Sequence, residues 1–194
     1  MEASDAALVA LARSGDGDTF RVLVERHSRK VFRLAFRLTG NEQDSEDIVQ
    51  ETFLRAYRNL NSFDQRAVFS SWLYRIATNH ALDVLRARRH RTAESLSAAD
   101  PQETPLSERV AAPQPDPERL AMSARDQERI RIALDELTPQ ERAAFTLRHF
   151  EGYSIAEIQE SLSISANAAK HAVFRAVQKM RRTLGEPEGV PCRN

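Results

Sequence analysis

Five of the chain's eight prolines fall within residues 101–117. Proline fixes φ and has no amide hydrogen, so a run this dense permits neither a helix nor a central strand. The wider stretch 92–120 is rich in Ala, Ser, Glu and Pro and keeps no helical period. It reads as a flexible linker. A chain of 194 residues interrupted there leaves two segments, each the size of a small domain. Fully extended, the linker would reach about 95 Å.

Both flanks carry a 3.6-residue apolar period and no strand alternation. In the first, Phe20, Leu23, Val24, His27, Val31, Leu34, Ala35 and Leu38 share one face, and Gly40 is suited to end the helix in the left-handed region. A second helix is predicted over 44–59, with acids in its first turn against the positive end of the dipole. Asn61-Ser62-Phe63-Asp64 is a turn cluster. A long helix follows from about residue 70 into the arginines of 86–91, its inner face Phe69, Leu73, Ile76, Ala77, His80 and Val84. In the second flank a helix carries Ile130, Ala133, Leu134 and Leu137. Thr138-Pro139-Gln140-Glu141 and Ser154-Ile155-Ala156-Glu157 are capping boxes, each opening a helix, the second a short one ending near Leu162. Ser163-Ile164 makes a tight turn, and Ser165 caps a last helix running to about Thr183. The fold class is therefore all-α: domains at 1–91 and 121–185, the linker 92–120 between them, and a tail at 186–194. The second domain carries a helix-turn-helix.

The formal net charge is zero, from 28 basic and 28 acidic residues, but the distribution is uneven. The last helix holds Lys170, Arg175, Lys179, Arg181 and Arg182 and no acid. Residues 65–93 hold six arginines against Asp83, whereas residues 42–51 hold five acids and no base. A recognition helix reads base edges from its N-terminal half, which here carries Lys170, His171, Phe174 and Arg175. Lys179, Arg181 and Arg182 suit phosphates, as do the amides after Ser165. In the first domain, Phe63, Phe69, Trp72 and Tyr74 interleave with Arg66, Arg75 and the 86–91 cluster, a mixture that suits unstacked bases. Most of these aromatics also serve a small core, Phe69 above all.

Catalytic readings find no support. The sequence has no Gly-rich phosphate loop, His-Glu-x-x-His or nucleophile elbow. The five histidines show no ligand spacing, and the one cysteine, Cys192, allows no internal disulfide. The acidic N-terminus lacks the basic start of a signal peptide, and no apolar run approaches the ~20 residues of a membrane span. The expectation is a cytoplasmic protein that is not an enzyme, holds no metal or cofactor and does not insert in a membrane.

Asp47-Ile48-Val49-Gln50-Glu51-Thr52-Phe53-Leu54-Arg55-Ala56-Tyr57-Arg58-Asn59-Leu60 and Phe69-Ser70-Ser71-Trp72-Leu73-Tyr74-Arg75-Ile76-Ala77-Thr78-Asn79-His80-Ala81-Leu82-Asp83 resemble the most typical segments of bacterial RNA polymerase sigma factors. Thr138-Pro139-Gln140-Glu141-Arg142 and Ser154-Ile155-Ala156-Glu157-Ile158 match as well. The spacing and two-domain size are similar to the extracytoplasmic-function (ECF) group of the sigma-70 family, over roughly residues 18–91 and 124–184. The resemblance implies a factor that binds core RNA polymerase and directs it to promoters. Asp47, Gln50, Glu51, Phe53, Leu54 and Arg55 match the segment that docks on the polymerase β′ clamp helices. Ser62, Phe63, Asp64, Arg66, Trp72, Arg75, Asn79, Asp83 and Arg86 match the region that reads and opens the −10 element. Ser165, Lys170, His171, Phe174, Arg175 and Lys179 match the reader of the −35 element. Implied partners are core polymerase (β′ clamp helices and β flap), promoter DNA both duplex and melted, and an anti-sigma factor, with no small-molecule substrate. The rival readings are a stand-alone helix-turn-helix regulator and a sigma-like decoy. Two departures stand out: Ser163 replaces the usual Gly of the turn, and Ala172 takes the place of an Arg common at the start of the recognition helix.

Overall fold

Six helices open on a side chain that accepts the orphan amide of the third residue on: Ser4, Asp16, Asn41, Thr138, Ser154 and Ser165. The computed structural model describes residues 3–64, 67–97 and 124–185. In chain order the helices are α1 (Asp5–Arg13), α2 (Gly17–Thr39), α3 (Glu42–Arg58), a 3-10 turn (Leu60–Ser62), α4 (Phe69–Ser97), α5 (Ala124–Asp135), α6 (Pro139–His149), α7 (Ile155–Leu162) and α8 (Ala166–Leu184). Among the described residues there is no strand. Gly40 ends α2 at φ 67°, and both capping boxes form.

Two features differ from the sequence expectation. The first is α1. Its Leu8, Val9 and Ala12 are buried, and Asp5 is clamped by Arg26 at 2.6 Å and His27 at 2.8 Å. A nine-residue helix is marginal alone and exists through such packing. The second is α4, which continues to Ser97 and so takes the first residues of the expected linker. Ala, Glu and Leu are good helix formers, and no proline occurs before Pro101. The remaining linker, 98–123, and the tail with Cys192 lie outside the described residues.

The first domain is built around Leu23, Leu34, Leu38, Ile48 and Leu73, all fully buried. Each such side chain contributes about 1.5–3 kcal/mol on burial. In the second domain, α5 and α8 close on Ala133, Leu137, Ala176 and Met180. The two halves also meet. Ala143, Ala144 and Leu147 of α6 and Ile158 and Leu162 of α7 are continuous with the core of the first domain. Polar contacts seal this junction. Arg37 reaches Glu151 at 2.8 Å and stacks over Phe150, Arg75 reaches Glu160 at 3.2 Å, and Arg89 donates to the Leu137 carbonyl at 2.7 Å.

Candidate nucleic-acid and polymerase interfaces

The turn after α3 and the first turns of α4 enclose an open cleft of about 280 Å³, lined by Arg55, Asn59, Ser62, Trp72, Ile76 and Asn79. Trp72 is half-buried, its ring 5.0 Å from Phe63 and 5.8 Å from Phe69. An aromatic wall, two amide side chains and a hydroxyl offer an unstacked base both a stacking face and polar edges. Phe63, expected among the −10 contacts, is 4% exposed, and its ring supports this wall from inside. Arg75 lies in the ion pair with Glu160, and Arg86 pairs with Asp83 at 3.3 Å on the exposed side of α4. Asp64 is exposed beside the cleft, and Arg66 lies outside the described residues. Asn59, which the sequence did not single out, and Ile76, expected on the inner face of α4 and half-buried there, also line the cleft. Asn59, the C-cap of α3, is a cleft marker that spacing alone could have offered.

On α3, Ile48, Thr52, Phe53 and Ala56 turn inward, leaving Asp47, Gln50 and Leu54 in solvent. Phe53 is 6% exposed and is a core residue, contrary to its expected place on a docking surface. It shares the i, i+4 stripe with Val49 and sits beside Thr52, one step from the face presented to solvent. Glu51 is half-buried and takes a hydrogen bond from Arg55 at 2.6 Å, which holds its carboxyl below the usual range. Tyr57, which the sequence did not single out, extends the solvent face and packs its ring 5.0 Å from Phe20.

The helix-turn-helix is α7, Ser163-Ile164 and α8. Ser163 sits at φ 52°, ψ 45°, the left-handed position where glycine is most at ease, and the Ile164 amide closes the turn on the Gln159 carbonyl at 3.1 Å. The Ser165 hydroxyl accepts from the Ala168 amide at 3.2 Å, so it caps the helix first of all. Ala169, Ala172 and Ala176 are buried against the rest of the domain. This gives Ala172 its reason: α8 packs too closely there for a long cation. The opposite face shows Lys170, His171, Phe174 and Arg175 to solvent, with Phe174 61% exposed. Lys179 is half-buried. Its ammonium donates to Glu141 at 2.7 Å, so it ties α8 to α6. A basic groove of about 360 Å³ runs along α8 past Lys170, Phe174 and Arg181 to Arg148 and His149 of α6. The last two were not expected there; the link is tertiary.

Among the described residues no three His, Cys, Asp or Glu side chains stand together as a metal site. No described helix is long and apolar enough to cross a membrane.

The sigma-70 region 2 model matches residues 23–91, and the sigma-70 region 4 model matches residues 127–180. The chain is 37% identical to the ECF RNA polymerase sigma factor SigE of Mycolicibacterium smegmatis over 164 residues, 84% of this chain and 61% of that protein. It is 31% identical to the ECF RNA polymerase sigma factor SigW of Bacillus subtilis over 172 residues, 89% of this chain and 92% of the relative. The solved structure of CnrH in complex with the cytosolic domain of CnrY is 27% identical, covers 93% of this chain and 96% of its own, and superposes with a TM-score of 0.61.

Proposed function

The chain belongs to the ECF sigma factors of the sigma-70 family, and on that premise we propose that it docks on core RNA polymerase through α3, opens the −10 element at the Trp72–Asn79 cleft and reads the −35 element with α8. Its place of work is the cytoplasm, where the polymerase is. It contributes binding energy and base selection; the polymerase performs the bond-making chemistry. Asp47, Gln50, Glu51, Leu54 and Arg55 form the docking face. Lys170, His171, Phe174 and Arg175 supply the −35 contacts, and the region 4 domain meets the β flap.

One observation carries this reading. α3 presents Asp47 and Gln50 to solvent and keeps Glu51 at the surface, in the same domain that holds a base-sized cleft. An acidic face repels DNA and is not needed to fold α3. It fits a basic protein partner, and a stand-alone DNA-binding regulator has no use for it.

The two reading surfaces act at least two DNA turns apart, about 70 Å. In this structure α6 and α7 pack against α2 and α4, so the halves separate when both elements are bound. Residues 98–123 reach about 85 Å when extended, enough for that distance. A protein that clasps the closed pair would hold the factor inactive, as the anti-sigma partner implied by the family does.

Size-exclusion binding to sigma-free core RNA polymerase tests the proposal. The wild type is expected to co-elute with core, and the Asp47→Lys, Glu51→Lys double variant to lose that binding. Absence of wild-type binding under conditions where another sigma factor binds would favour the stand-alone regulator.

A further inference from the structure

We propose that Arg13, at the end of α1, is a positioning residue for −10 opening, fixing the turn that shapes the base-accepting cleft. Its Nε donates to the Leu60 carbonyl at 2.9 Å, and its Nη2 donates to the carbonyls of Asn61 and, at 2.8 Å, Phe63. Three backbone oxygens of one short turn thus converge on a single guanidinium. Aligned carbonyl dipoles repel one another, and a cation with a planar fork of donors offsets that repulsion. Arg13 also lies in the last turn of α1, where the helix dipole favours a positive charge.

The turn is joined to the cleft on both sides. Ser62 and Asn59 line it directly. The Phe63 carbonyl is held by Arg13, and the Phe63 ring lies 5.0 Å from Trp72, the aromatic wall. Displacing the turn moves floor and wall together. α1 is in turn anchored at its other end by Asp5, which takes Arg26 and His27. The region 2 match begins at residue 23, so α1 and Arg13 lie before it and their part is read from this structure alone. Arg13 touches no base; it acts through the turn. The proposal rests on the Trp72–Asn79 cleft being the site that accepts a base.

The test uses holoenzyme reconstituted from the full chain and core RNA polymerase. The wild type selects a single strand from a pool of random DNA oligonucleotides. That oligonucleotide, and versions with the other three bases at its most selected position, are then the fluorescence-anisotropy probes. Arg13→Ala is expected to weaken binding of the selected strand by about tenfold and to flatten discrimination to about twofold, which is one stacked base lost from register. Core binding stays unchanged. Arg13→Lys, which keeps the charge without the fork, falls between. Trp72 is the chain's one tryptophan, and acrylamide quenching of its fluorescence is expected to rise in Arg13→Ala as Phe63 loosens. If Arg13→Ala does not fold, the Lys variant carries the same comparison. Discrimination intact in Arg13→Ala but lost in Asn79→Ala overturns the role of Arg13 alone. Discrimination intact in both overturns the cleft reading as well. Loss of core binding together with DNA binding makes Arg13 a general fold contact and overturns the proposal.

Discussion

The carboxylate of Glu141 accepts the Lys179 ammonium at 2.7 Å on the same oxygen, Oε2, that accepts the Thr138 amide at 2.9 Å. The N3 residue of the capping box that opens α6 therefore also receives a cation from α8. Arg175 reaches the same carboxylate at only 3.4 Å, and its side chain is 64% exposed. The two cations, one turn apart, have different tasks. Lys179→Ala leaves the buried carboxylate with only the longer contact to exposed Arg175 and is expected to cost about 1–3 kcal/mol of stability. Arg175→Ala is expected to cost about 1–3 kcal/mol of specific promoter binding and little stability. Thermal unfolding and DNA titration of the two variants separate these outcomes. Burial pushes the Glu141 carboxyl up, but Lys179 and the Thr138 amide outweigh it and hold it below the usual range. A carboxyl lowered in the folded state stabilises above its unfolded value and loses that contribution as pH falls through the folded value. The wild-type melting temperature should therefore fall on acidification through the carboxylate range, with a shallower slope in Lys179→Ala.

Arg142 closes the junction between the halves. It is 7% exposed, its Nε donates to the Arg37 carbonyl at 3.0 Å, and its Nη1 lies 3.2 Å from Asp135. Arg142→Ala leaves that carbonyl without its donor and is expected to weaken the closed arrangement by about 1–3 kcal/mol. Small-angle scattering should show a radius of gyration larger by roughly a few ångström than that of a compact chain of this length. An unchanged scattering curve would mean that the apolar contacts of Ala143, Ala144 and Leu147 hold the junction unaided.

Local signals in the sequence located most helix ends. Gly40, Thr138 with Glu141, and Ser154 with Glu157 act through bonds to near neighbours, so spacing suffices to place them. α1 was not legible, because Leu8, Val9 and Ala12 make sense only against α2 and Asp5 only against His27, 22 residues on. The candidate site divides in the same way. Asn79 and Trp72 share a helical face and reach one cleft as spacing suggests. Phe63 and Phe53 stand in segments that resemble the family's contact regions, but the core claimed both rings. The bonds of Arg13 and Arg142 carried no signal, since each acts on backbone carbonyls far along the chain, and a carbonyl has no letter in a sequence.

Ser163 bears the cost of a turn usually made with glycine. At φ 52° an L-residue with a Cβ loses about 1 kcal/mol or more. The Ser163 side chain is exposed, so removing it forfeits no packing. Ser163→Gly is expected to stabilise the chain by about 0.5–1 kcal/mol, offset in part by the freedom glycine gains on unfolding. The melting temperature should rise by a few degrees, roughly as such a gain implies for small domains, with promoter affinity unchanged. A lower melting temperature would show that the serine contributes more to the turn than its backbone angle costs.

His80 of α4 faces α3. Burial first, and the Arg55 cation second, lower its pKa, against the opposing pull of Glu51, Asp83 and Asp47. The folded chain therefore holds His80 neutral where the unfolded chain would protonate it. The unfolded state binds the extra proton, so stability falls as pH drops through the ordinary histidine range. His80→Gln removes that proton difference and should flatten the fall in melting temperature between about pH 7 and 5. The carboxylate-linked loss at lower pH, to which Glu141 and Asp5 contribute, should remain. Below the histidine range the wild type also gains a positive charge beside Glu51 and Asp47, the acids proposed to meet core polymerase. Polymerase binding by the wild type is thus expected to weaken on mild acidification more than binding by His80→Gln. Parallel binding curves for the two proteins would confine His80 to the stability of the α3–α4 contact.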